Sequence, residues 1–274
     1  MSEVKPLKPY YIHGTDPSEQ QRLEALAKVL GGADFLPQLD AGMRILDVGC
    51  GTGAIAREVA IQVAPEDLIG LDFQDVQIRT ARRLARSRDI RNVCFVQGDA
   101  NTLSFRNNSF DGAYCRFLLE HVANPLIVLQ EMSRVVKPGG WVCAYEWENG
   151  CFIIYPESPA IERVWHGIFI FQRSRGGDPW VARKLYGLFL QAGLKDVRVE
   201  GRAWTITSDE REKLQLWVNG SKEIIRQTLQ GLLDEHLVTQ EILKQADGEF
   251  ETLMKSSKTF VFHGFCLALG KKKY

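Results

Sequence analysis

Three glycines at alternate positions, Gly49, Gly51 and Gly53, follow the apolar run Ile45–Val48, which carries an acid at Asp47, and a helical pattern begins at Ala54. Residues without side chains let backbone pass close to a ligand and take up positive φ, while a helix N-terminus offers unpaired N–H groups to something electron-rich. The spacing builds a cradle for a small molecule. Two more acids stand where the next strands are expected to end. Asp72 closes the run Leu68–Asp72, and a single carboxylate there can hold two vicinal hydroxyls. Asp99, after Val96, Gln97 and Gly98, is placed to accept from an exocyclic amine. Taken singly, each acid is as well explained as a turn former or a helix cap.

These residues need a sheet edge to bring them together, and the chain has the pattern for one. From Met43 onward short apolar runs alternate with amphipathic ones, the signature of βαβ units and a parallel sheet. Strands are expected over Arg44–Val48, Leu68–Phe73, Val93–Gln97, Asp111–Cys115 and Trp141–Tyr145. Helices are expected over Ala54–Val63, about Val76–Ser87 and Leu126–Val136, with a turn at Lys137–Gly140. Right-handed crossovers put all the strand carboxyl ends on one edge, where ligands of such sheets bind. Before this region, Asp16 reads as a helix cap, Pro17 as the first helical residue and Glu19 as a capping-box acid, with Leu23, Leu26, Ala27 and Leu30 at helical spacing. After Trp147 the regularity changes: an aromatic-rich stretch, a break at residues 176–179, a helix from about Trp180 to Ala192, and strands Asp196–Thr207 and Thr259–Leu269. The residues between those two strands have helical spacing and are far more than a hairpin needs, so 208–257 reads as a helical insertion. Three regions follow: an N-terminal segment and helix (1–40), a binding core (41–150), and lid helices, insertion and last two strands (151–274).

Composition narrows the function classes. Lys plus Arg and Asp plus Glu stand at 34 each, without the basic excess that nucleic acid attracts. No leader-like apolar segment or membrane-spanning run is present, so a cytoplasmic protein without stable membrane insertion is expected. The six cysteines are scattered without Cys-x-x-Cys pairing, which favours buried reduced thiols over disulfides or a metal site. Self-association into a homo-oligomer is left open.

The glycine turn is one residue shorter than the dinucleotide fingerprint Gly-x-Gly-x-x-Gly. With Asp47 before it, it resembles the first motif of the class I S-adenosylmethionine-dependent methyltransferases. The resemblance continues in family order through Asp72, Gly98-Asp99-Ala100, Phe110–Cys115, Leu119–Val122 and Lys137–Gly140, and is similar to the ubiquinone/menaquinone-type and small-molecule subgroup. It implies an α/β fold with a doubly wound, seven-stranded, mostly parallel sheet, and S-adenosyl-L-methionine as cofactor. The cofactor contacts it implies are Tyr11, Asp47, Gly49, Cys50, Gly51, Asp72, Phe73, Gly98, Asp99, Ala100, the backbone of Cys115 and the side chain of Arg116. Arg116 replaces a more usual apolar residue; its cation either meets the cofactor carboxylate or an anionic substrate, or points to solvent.

Methyl transfer is an in-line displacement on a sulfonium carbon, so alignment and exclusion of water matter most, and a base is needed only for a protonated nucleophile. Candidate bases are His13, His121 and Glu146, with His166 and Glu148 behind them; structural roles are the commoner alternative for the histidines. Trp147, Phe152, Trp165 and Phe169 can wall an apolar acceptor pocket or face the core. The expected activity is methylation of a small, partly apolar molecule on oxygen, nitrogen or carbon, such as a natural product or quinone-like acceptor. Methylation of protein or tRNA, and cofactor binding without transfer, are the alternatives.

Overall fold

The computed structural model describes residues 12–274; the expected contact Tyr11 lies outside them. Helix α1 (Pro17–Val29) starts as its sequence requires, with Asp16 accepting the Glu19 N–H at 3.0 Å and Pro17 in the first turn. Glu19 does not close a capping box. Its carboxylate is taken by the forked guanidinium of Arg22, with both contacts at 2.7 Å.

The sheet has seven strands in the order β3-β2-β1-β4-β5-β7-β6. They are β1 (Ile45–Val48), β2 (Leu68–Asp72), β3 (Val93–Gln97), β4 (Phe110–Arg116), β5 (Val136–Tyr155), β6 (Lys195–Thr207) and β7 (Phe260–Lys271). Strands β1 to β5 are mutually parallel, and β7 runs antiparallel to both β5 and β6. Strand order reverses between β1 and β4, which opens a crevice at their carboxyl ends.

Both faces of the central strands are buried, while the edge strand β6 is largely exposed. Leu46 and Val48 face α4 (Pro125–Val135) and α6 (Leu185–Gln191), while Ile45 faces α2 (Ala54–Val63) and α3 (Asp75–Ser87). The alternation in β1 thus serves two cores, which is why the strand is apolar throughout apart from Asp47.

Strand β5 does not stop at Tyr145. Antiparallel pairing with β7 carries it to Tyr155 opposite Phe260, so the backbone runs as strand across residue 150, where a regional boundary was expected. The projecting ends of β5, β6 and β7 supply Ile154, Ile206 and Val261 to a third core with α5 (Pro159–Ser174), α7 (Arg211–Asp234) and α8 (Gln240–Lys255). Helices α7 and α8 are the helical block between the last two strands. Helix α6 is shorter than expected, because Trp180–Lys184 forms turns and a short 3-10 segment.

Ion pairs fasten α1 over the crevice. Arg57 on α2, only 1% exposed, holds Glu24 at 2.7 Å, and Arg226 on α7 holds Asp16 at 2.7 Å. All six cysteines are free, but Cys94 and Cys151 are exposed rather than buried, Cys94 on the edge strand β3 and Cys151 at the irregularity in β5. Among the described residues, no helix is long and apolar enough to cross a membrane.

The third glycine of the turn is a packing constraint. Gly53 caps α2 at φ +74°, and a Cβ there would stand 2.5 Å from the Phe95 ring. Left-handed strain and overpacking together predict that Gly53→Ala lowers stability by about 2–4 kcal/mol, read as a shifted urea midpoint; an unchanged midpoint would contradict this packing.

Candidate active site

The strand ends are tied together by one carboxylate. Asp72 accepts the Gly51 N–H on Oδ2 and the Gln74 N–H on Oδ1, both at 2.8 Å. It thereby joins the glycine turn after β1 to the turn after β2. The backbone adds Gly49 and Cys50 N–H groups bonded to the Leu71 carbonyl, and Gly49 and Gly51 take φ of +77° and +53°. Burial raises the Asp72 carboxyl, against backbone N–H bonds that favour its charge. Asp47 is more deeply enclosed and accepts the Tyr114 hydroxyl at 2.8 Å. Burial lifts it to about 7, although that hydrogen bond favours the ionised form. Asp99 accepts the backbone and side-chain N–H groups of Asn101 at 2.8 Å, which fixes its turn.

These residues open onto a cavity of about 280 Å³, far larger than the roughly 10–15 Å³ that one water needs. The structure brings to its wall Asp47, Gly49, Cys50, Gly51, Asp72, Phe73, Gly98, Asp99, Ala100 and Arg116. It brings there His13, His121, Trp147, Trp165 and Phe169 as well.

Three expected residues are not on that wall. The Cys115 side chain faces the core between the sheet and α4. Glu146, fully buried, spends Oε1 on the N–H groups of Leu118 and Leu119 at 3.1 and 2.9 Å, so it shapes the loop after β4 from behind the cavity wall. Phe152 stands behind the wall, its ring 4.6 Å from His263 and 6.0 Å from Trp165. Side-chain parity along β5 separates Glu146 from Trp147, and the irregularity after Glu148 resets it before Phe152. His166 is exposed on α5.

The Arg116 side chain is half-buried, with its guanidinium turned inward. Its guanidinium lies among the rings of Phe35, Phe117 and Tyr145, at 4.9–5.8 Å from their centroids. One nitrogen reaches the Gly32 carbonyl at 3.3 Å, while Nε and Nη2 are buried without a partner among the described residues. Burial pulls it down to about 10, so it remains a cation at neutral pH. The neighbouring Phe117 sits at φ +54°, a strained position for an aromatic residue.

His13 and His121 meet edge to face with centroids 5.2 Å apart. Gln172 bonds the Glu120 carbonyl at 2.9 Å and lies 3.3 Å from His121 Nδ1. Burial and the charge of Arg22 push His121 to about 3, and burial, His121 and Arg22 push His13 well down, so both imidazoles are neutral. Glu120 is lifted to about 7, chiefly by burial. Sequence reasoning missed Gln77, Trp204, Trp217, Ser221 and His263, which also line the cavity. The helical spacing of α7 was visible, but not which face would meet the sheet.

Crevice, glycine turn and strand-end acids define a doubly wound enzyme of the nucleoside-cofactor class. A methyltransferase-domain family profile matches residues 46–144. The chain is 30% identical over 188 residues to a demethylmenaquinone methyltransferase of Shouchella clausii, a match covering 61% of this chain and 77% of that protein. It is 39% identical over 107 residues to sterol 24-C-methyltransferase erg6 of Aspergillus fumigatus, covering 39% of this chain and only 28% of the relative's length. Among solved structures, the YcgJ protein of Bacillus subtilis superposes with a TM-score of 0.57 at 22% identity, covering 93% of this chain and 99% of that one. The chain belongs to the S-adenosylmethionine-dependent methyltransferase family, whose cofactor is S-adenosylmethionine.

Glu120 generates a pH prediction. Between about pH 4.5 and 7 its folded carboxyl keeps a proton that the unfolded chain has lost, so its contribution to stability falls as pH rises through that window. Glu120→Gln removes this contribution and leaves those of the other buried groups in place, Asp47 with the same sign and the histidines His13, His121 and His263 with the opposite one. The stability of the variant relative to the parent should therefore rise between pH 5 and 7, read from denaturant midpoints; a difference that stays constant with pH would refute the assignment.

Proposed function

We propose that this protein transfers the methyl group of S-adenosylmethionine to a small, partly apolar acceptor, on oxygen, nitrogen or carbon. The observation that carries this reading is a single cavity that joins the strand-end acids and glycine turn to a chamber walled by Trp147, Trp165, Trp204 and Trp217. Family relatives named for demethylmenaquinone and for a sterol support an apolar acceptor.

The residues present fit the cofactor. Asp72, with one backbone N–H on each oxygen, keeps lone pairs for vicinal ribose hydroxyls. Asp99 and Ala100 stand at the adenine end, and the two orphaned nitrogens of Arg116 suit the amino-acid carboxylate. When bound, S-adenosylmethionine supplies an electrophilic methyl carbon on a sulfonium. The protein aligns a nucleophile against it and keeps water out, which is the larger part of the catalytic task. Trp147 and Phe117, stacked at 5.0 Å, belong to the apolar wall of the cavity. His13 and His121, both neutral, are the side chains that would accept a proton from an acceptor that arrives protonated. Six free thiols and a chain free of net charge fit a protein working in the reducing cytoplasm on an acceptor other than nucleic acid.

Incubation with methyl-labelled cofactor and fractionated small-molecule extracts should move label into an organic-soluble fraction; transfer to no fraction would leave a cofactor-binding protein. Asp72→Ala should weaken S-adenosylhomocysteine binding by about 1.5–3 kcal/mol in titration calorimetry, the worth of hydrogen bonds to a charged group. Unchanged affinity would sink the ribose assignment.

A further inference from the structure

The projecting ends of β5, β7 and β6 place three rings in one cross-strand row: Phe152 pairs with His263, and His263 with Trp204. Directly opposed residues share a face of the sheet, and this face lies under α5 and α7. His263 lines the cavity and is 7% exposed. Its ring is held between Trp147, with centroids 4.3 Å apart, and Phe152, at 4.6 Å. A ring so enclosed has little freedom to turn away and find another partner.

Buried polar groups are ordinarily satisfied, and one left alone costs its full desolvation. Among the described residues, His263 Nδ1 is buried without a hydrogen-bond partner, as are the indole nitrogens of its cross-strand neighbour Trp204 and of Trp165. All three residues belong to the aromatic chamber, away from the acids at the strand ends. The indoles can only donate, whereas a neutral imidazole both donates and accepts. Burial alone sets the imidazole's protonation, holding it at about 3, and no charged side chain contributes. A charged ligand here would lose its hydration without gaining a counterion, whereas an uncharged oxygen would meet a donor or an acceptor.

We propose that His263 selects the acceptor, its neutral imidazole hydrogen-bonding an uncharged hydroxyl or carbonyl oxygen on a flat ring lodged among Trp147, Trp165 and Trp204. The proposal rests on the reading of this cavity as a methyl-acceptor site and adds to it the acceptor's class and the residue that recognises it. His263 is thus a specificity residue, and the methyl carbon is left to other groups.

The experiment uses the full chain saturated with S-adenosylhomocysteine and three probes of one shape: 2-naphthol, naphthalene and 2-naphthoate. Saturation is itself measured by calorimetry, so failure of the cofactor reading shows up as absent S-adenosylhomocysteine binding, independently of the probes. The parent protein should bind 2-naphthol more tightly than either other probe. His263→Phe, which keeps a ring in the row, should lose about tenfold in 2-naphthol affinity, the worth of one hydrogen bond, with naphthalene affinity unchanged. His263→Gln, which restores a polar group, should recover part of the loss. Equal loss for naphthol and naphthalene would make His263 a packing residue and overturn the proposal. Tighter binding of 2-naphthoate would overturn the uncharged class, and failure of the parent to bind any probe would overturn the flat-ring class.

Discussion

The geometry of the cofactor half depends on the two N–H groups that Asp72 accepts. A buried carboxylate is costly, and backbone hydrogen bonds are what make its charge tolerable. In satisfying itself, Asp72 fixes the distance between the turns after β1 and β2. Gly51 contributes the N–H because a left-handed backbone aims it there, and Gly53 lets Phe95 close the space beneath. Asp47, Asp99 and the start of α2 then fall into place around one crevice.

The second half of the cavity has a different origin. It exists because β5, β6 and β7 continue beyond the rest of the sheet and carry α5, α7 and α8 on a core of their own. The polar half is built at strand ends by turns, the aromatic half along strand faces by alternation. Arg116 and Phe117 stand where the two meet, with the buried guanidinium set among rings. Walls of opposite character, one polar and one aromatic, therefore face a single space.

Much of the cofactor half was legible in the residues, because turn chemistry is local: a glycine needed at positive φ and an acid needed at a strand end both leave their type in the chain. The order of strands and helices through Tyr145 was equally readable from the apolar alternation. What escaped depended on partners distant in sequence. The extension of β5 is decided by its pairing with β7, more than a hundred residues later. Which of Glu146 and Trp147 meets the cavity is decided by strand register, and one irregularity returns Phe152 to the face that Trp147 shares. His263 and Trp204 carried no signal, since one ring among apolar strand residues looks like any other core residue.

The pairing of Arg57 with Glu24 separates two things that are easily equated. The segment matched by the family profile begins at residue 46, yet the guanidinium buried within it finds its counterion on α1. A fragment trimmed to the shared segment would keep every strand-end motif and lose the carboxylate that neutralises its most enclosed charge. The segment that the family profile recognises is therefore smaller than the set of residues that satisfies its own buried charge.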